Sequence, residues 1–191
     1  MGRICVFCGS SPGRSPAYTE VAVELGQTLV TRGLGLVYGG ASVGLMGKLA
    51  DTVLEAGGEV IGVIPDSLLR YEVTHEGLPD LRVVHSMAER KTLMAELSDG
   101  FISLPGGTGT LDEMFEMLTW SQLGDHDKPS GLLDVEGFYS NLIAFLDHAV
   151  EERFLRPEHR AMLIVETSAS ALLDRFESYA APKLEKWIGR V

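Results

Sequence analysis

Short apolar, β-rich runs alternate with helical stretches through most of this 191-residue chain, and that order limits what it can fold into. The strand candidates are Arg3–Cys8, Gly35–Tyr38, Glu59–Ile64, Leu81–Val84, Gly100–Leu104, Ser130–Asp134 and Met162–Val165. The first, third and fifth are continuous apolar runs, the pattern of strands covered on both faces. Between the strands the spacing predicts helices over Pro16–Arg32, Gly44–Ala56, Met87–Ser98, Leu111–Leu123 and Glu136–Glu152. Gly33, Gly57 and Gly124 stand where left-handed C-terminal caps belong. The tail Ser168–Val191 reads as one or two further helices. Such alternation implies right-handed crossovers and a parallel sheet. The expected architecture is a Rossmann-like α/β fold, an open parallel sheet with helices on both faces. No repeat, linker or low-complexity tract divides residues 1–191, so one domain is expected.

In open α/β sheets ligands bind beyond the carboxyl ends of the strands. Three of those ends are rich in glycine: Gly9-Ser10-Ser11, the run from Gly39 to Gly47, and Pro105-Gly106-Gly107-Thr108-Gly109-Thr110. The chain holds 22 glycines, where average usage predicts roughly 13. Glycine makes tight turns, and it also lets backbone N–H groups approach a ligand closely. A helix N-terminus placed there favours an anion such as phosphate. Both uses are open for any one loop; three at one end of one sheet favour the second. The common fingerprints are absent. Gly47-Lys48 is preceded by Ser42 where GxxxxGK[ST] needs Gly, and Gly107-Thr108-Gly109 is followed by Asp112 where GxGxxG needs Gly.

Charge narrows the ligand. A formal net charge of −11 disfavours a polyanionic partner such as nucleic acid. Met87, Arg90, Lys91 and Met94 share one helix face. Cations near a helix start oppose the dipole, so Arg90 and Lys91 suit either an anionic ligand or a solvated, snorkelling role. Glu113 has a structural reading as well, because Thr110-Leu111-Asp112-Glu113 has the form of a capping box. Asp112 and Glu113 could then divide the work, one for the helix and one for the cleft. Asp125-His126-Asp127 reads as a polar turn. Cys5 and Cys8 point to opposite faces of a strand and read as ordinary thiols, with no second ligand pair for a metal. No apolar run reaches the length of a membrane span, and no signal-peptide pattern follows the N-terminus, so a cytoplasmic protein is expected.

Several of these segments carry a resemblance. Pro105–Glu113, PGGTGTLDE, is similar to the PGGxGTxxE motif of the LONELY GUY family, the cytokinin-activating phosphoribohydrolases. Met87–Lys91, MAERK, resembles that family's MHxRK segment, with Ala88 where the family has His. FCGSS, YGGASVGLMG and TWSQLGDHDKP extend the similarity over about residues 3–150. Members often bear the label lysine decarboxylase, which implies a pyridoxal-phosphate lysine that no motif here supplies.

The resemblance implies hydrolysis of the N-glycosidic bond of cytokinin riboside 5'-monophosphates, N6-modified AMP with AMP as a weaker substrate, to free base and ribose 5-phosphate. It implies Arg90 and Glu113 as the catalytic pair and no cofactor or metal. Gly106, Gly107, Thr108, Gly109 and Thr110 would cradle the phosphate. Ser10, Gly40, Gly44, Glu72, Met87, Lys91 and Thr119 would complete the nucleotide site. It also implies a homodimer, with Leu111, Phe115, Leu118 and Leu123 available for the contact. The alternatives are a non-catalytic nucleotide-binding module of the same fold and, more remotely, a decarboxylase.

Overall fold

The computed structural model describes residues 1–69 and 74–182. Seven parallel strands form one sheet: Arg3–Phe7 (β1), Gly35–Tyr38 (β2), Val60–Pro65 (β3), Asp80–Val84 (β4), Phe101–Ser103 (β5), Ser130–Leu133 (β6) and Leu163–Glu166 (β7). Their order is β4-β3-β2-β1-β5-β6-β7. The chain winds outward from β1 in one direction, then returns to start again at β5 on the other side of β1. The switch point, where the connections diverge, therefore lies between β1 and β5. There Phe7 pairs in register with Ser103, and both strands end.

Helices cover both faces. Pro16–Thr31 (α1), Gly44–Glu55 (α2) and Ala169–Glu177 (α7) lie on one; Met87–Glu96 (α3), Thr108–Leu123 (α4) and Ser140–Glu151 (α5) lie on the other. Pro157–Ala161 (α6) is a short connector. The period-two alternation of β1 assigns its side chains. Ile4 and Val6 enter the core under α1 and α2, whereas Cys5 and Phe7 enter the core under α3 and α4. Burial on both faces explains why these strands read as unbroken apolar runs.

Two helix starts and one additional short helix depart from the expected elements by more than a residue or two. Helix α4 starts at Thr108, not Leu111, because Gly107 takes the N-cap position. Helix α5 starts at Ser140, not Glu136, because Glu136 (φ 52°) and Gly137 (φ 71°) are left-handed and cannot open a right-handed helix. Helix α6 has only five residues, too few to show a helical repeat. The part of the tail from 183 onward lies outside the described residues.

Candidate active site

Helix α3 fixes the position of a buried cation. The Ser86 side chain accepts from the Glu89 N–H (3.0 Å), and the Glu89 carboxylate accepts from the His85 N–H (2.7 Å). The Ser86 N-cap, with Glu89 reaching back to the residue before it, starts the helix at Met87. Arg90 follows one turn later, only 6% exposed. Its Nε donates to the Val63 carbonyl (2.9 Å) and its Nη2 to the Gly39 carbonyl (3.1 Å). Its Nη1 lies 3.5 Å from Glu113 Oε1. A Cβ at Gly39 would collide with Nη2, so only glycine leaves room for the guanidinium at the end of β2.

Glu113 is 8% exposed and stands in the second turn of α4. Because the helix starts at Thr108, Glu113 does not take the capping-box place, and no side chain caps the helix. The first N–H groups of α4 have no partner within the helix and open onto the switch point. The carboxylate meets Arg90 across the sheet end, in a site too dry for solvent to screen the pair strongly.

Lys91 takes a different place from the one its neighbour suggests. Its ammonium pairs with Asp112 (3.1 Å) and with Glu116. The hydrogen bond to Glu116 is the largest cause of its raised pKa. Lys91 thus ties α3 to α4 on either side of Glu113. It does not line the cavity.

That cavity has a volume of about 320 Å³. Ser10, Met87, Arg90, Gly107, Thr108, Gly109, Thr110 and Glu113 come together around it. Gly106 lies on the far side of the same loop, facing an adjoining cavity. Gly40 and Gly44 are structural neighbours outside it. Gly40 accepts from the His75 N–H (3.0 Å). Gly44 (φ 61°) opens α2 directly against the backbone of Ser10 and Ser11. Thr119 is exposed on α4, away from the cavity. Glu72 lies outside the described residues. Cys8, Met46, Leu68 and Asp112 also line the cavity. Along the sequence Cys8 reads only as an ordinary thiol at the end of the first strand, Met46 only as part of the run after the second, and Leu68 carries no signal. Burial, then the nearby Glu113 charge, pushes the Cys8 thiol well above its ordinary range, so it is a protonated wall and no nucleophile.

Gly44 supplies a direct test of the loop packing. Gly44→Ala puts a Cβ into the Ser10–Ser11 backbone at a left-handed φ. The conformation alone costs about 1–2 kcal/mol, or about 2–8 °C of melting temperature. The melting temperature should fall, and any ligand held by the Ser10 loop should bind more weakly. A variant with native melting and native affinity would show that this contact does not shape the site.

Residues 46–176 match a family model described as "Possible lysine decarboxylase". A cytokinin riboside 5'-monophosphate phosphoribohydrolase of Arabidopsis thaliana is 50% identical over 184 residues, covering 96% of this chain and 86% of that protein. A second from the same plant is 50% identical over 178 residues, covering 93% and 83%. A solved molybdenum cofactor binding protein from Rippkaea orientalis shares the fold at 24% identity, with a TM-score of 0.69 over 93% of this chain and 96% of that one. The protein is thus a Rossmann-like α/β enzyme, with its buried ion pair at the switch point of the sheet. More narrowly, it belongs to the family of cytokinin riboside 5'-monophosphate phosphoribohydrolases.

The decarboxylase description can be set against the donor set. A pyridoxal-phosphate enzyme needs a lysine amine to hold its cofactor. Among the described residues no lysine lines the cavity, and its cation is the Arg90 guanidinium, which forms no Schiff base. The residues present do not fit that group.

Proposed function

We propose that this chain hydrolyses the N-glycosidic bond of cytokinin riboside 5'-monophosphates, with AMP as a weaker substrate. The observation that carries this reading is the Arg90–Glu113 pair, buried beside the uncapped start of α4. The backbone of Gly107–Thr110 and the Ser10 hydroxyl hold the 5'-phosphate, with Gly106 setting the turn. The ribose then lies toward Glu113, one helical turn deeper. Met87, at the partly exposed mouth, faces the base.

As the C1'–N bond breaks, the bonding electrons leave with the base and positive charge builds on the sugar. The Glu113 carboxylate stabilises that charge and orients the water that attacks C1'. In the net reaction water supplies OH to the sugar and H to the base. Arg90, fixed by the Val63 and Gly39 carbonyls, holds Glu113 in position through its guanidinium. Lys91 acts through Asp112 and Glu116 and is a positioning residue.

Purified protein incubated with AMP, an N6-alkylated AMP, their ribosides and lysine tests this. Base and ribose 5-phosphate are expected from the monophosphates. Ribosides should be cleaved about 100-fold more slowly or worse, the effect of losing two charge-assisted hydrogen bonds. Equal rates for ribosides would refute the phosphate cradle. Nucleotide binding without base release would establish the binding-module reading, and carbon dioxide from lysine the decarboxylase.

The chain acts as a single catalytic domain and as a homodimer in the cytoplasm. Half-buried Leu111, Phe115, Leu142 and Ile143, with Phe145 64% exposed, give α4 and α5 an apolar outer face suited to a second copy. Two free cysteines suit a reducing compartment. Light scattering should give twice the chain mass, and Phe145→Glu should halve it. A native chain that scatters as a monomer would exclude the dimer.

A further inference from the structure

A second cavity, of about 280 Å³, adjoins the first at the switch point. The two share Gly9, Ser10 and Gly107, the loops assigned above to the phosphate. Arg90 and Glu113 line only the first. The second is walled by Tyr18, Leu45 and Phe138, and among the described residues no charged side chain lines it. An ionic group placed there would lose its water without gaining a partner. The volume falls at the small end of ligand pockets, which suits a single ring system.

The aromatic wall is held in place by its surroundings. Tyr18 and Phe138 meet edge to face, 5.9 Å apart at 77°. Phe138 follows two left-handed residues, of which Glu136 is not glycine. Its neighbour Tyr139 is anchored at both ends: its N–H donates to Asp134 (2.8 Å) and its hydroxyl to the Leu104 carbonyl (2.6 Å). A strained turn so pinned presents a phenyl ring, 42% exposed, to the mouth of a cavity and not to the core. Two perpendicular rings offer a stacking face and an edge, and the glycine loops with Ser10 and Ser11 offer a polar rim.

We propose that this second cavity binds a neutral, flat heteroaromatic ring of purine size while a nucleotide occupies the first. The choice of a purine rests on the hydrolase reading; the site itself does not. The shared loops would let ring binding and nucleotide binding influence each other, as a product or related base acting on turnover.

The test uses the full chain carrying Glu113→Gln, saturated with AMP, and titrated with adenine and with N6-benzyladenine by calorimetry. One base per chain is expected to bind without displacing AMP. Phe138→Ala should weaken base binding about 10-fold, as loss of a stacking partner does, with AMP affinity and melting temperature unchanged. Phe138→Tyr should restore it. The proposal fails if no base binds, if the base displaces AMP one for one, or if Phe138→Ala weakens AMP and base alike. A native chain that binds AMP and an N6-alkylated AMP without cleaving either would remove the hydrolase reading and leave this result intact.

Discussion

Glu113→Gln should lower base release by about 100- to 10,000-fold while nucleotide still binds. The substitution keeps the shape of the side chain and removes its charge. The transition state needs that charge and the ground state does not, so the loss should fall on kcat more than on KM. Folding should survive, because the Arg90 guanidinium keeps its hydrogen bonds to Val63 and Gly39 and the amide oxygen of Gln can still face Nη1. Single-turnover assays with AMP, beside equilibrium dialysis, separate the two effects. Native turnover in the variant would remove Glu113 from the chemistry. Lost binding with a native rate constant would reassign it to recognition.

Arg90→Ala should be the most damaging change to the fold as well as to the rate. It leaves two backbone carbonyls and the Glu113 carboxylate in a buried site without their cation. Breaking a buried pair in this way costs about 3–5 kcal/mol. For a chain of this size that is a fall of about 6–20 °C in melting temperature. Arg90→Lys should recover little. One ammonium cannot reach the three directions that the planar guanidinium serves. Thermal unfolding and AMP hydrolysis check both variants. A melting temperature within a degree or two of native for Arg90→Ala would mean that the carbonyl cradle contributes little. Because Arg90 and Glu113 share one contact, the double variant should lose less than the sum of the two.

The alternation of strand and helix was legible because the central strands are buried on both faces and read as apolar runs. Ile4–Phe7 and Ile61–Ile64 show this directly. By contrast β4 at the sheet edge, with Asp80 and Arg82, is half exposed. The Gly-rich loops were legible for a related reason. Close backbone approaches such as Gly39 against Arg90 admit no Cβ, so they write themselves into composition. Arg90 and Glu113 stood out by their motifs, while Lys91 beside them looked equivalent. Its pairing with Asp112 and Glu116 depends on how α3 lies against α4, and no spacing along the chain expresses that. The start of α4 was misplaced because Thr110 has a capping side chain and Gly107 has none.

By itself, then, the sequence determined a parallel α/β sheet, glycine loops at the carboxyl ends of its strands, and a small set of charged residues beside them. Tertiary structure decided the strand order that sets β1 against β5, the meeting of Arg90 with carbonyls 27 and 51 residues away, and the aromatic cavity behind the shared loops. The division has one physical cause. Periodicity and turn chemistry act between near neighbours and leave a local record, whereas contacts across the sheet join residues whose separation along the chain is arbitrary.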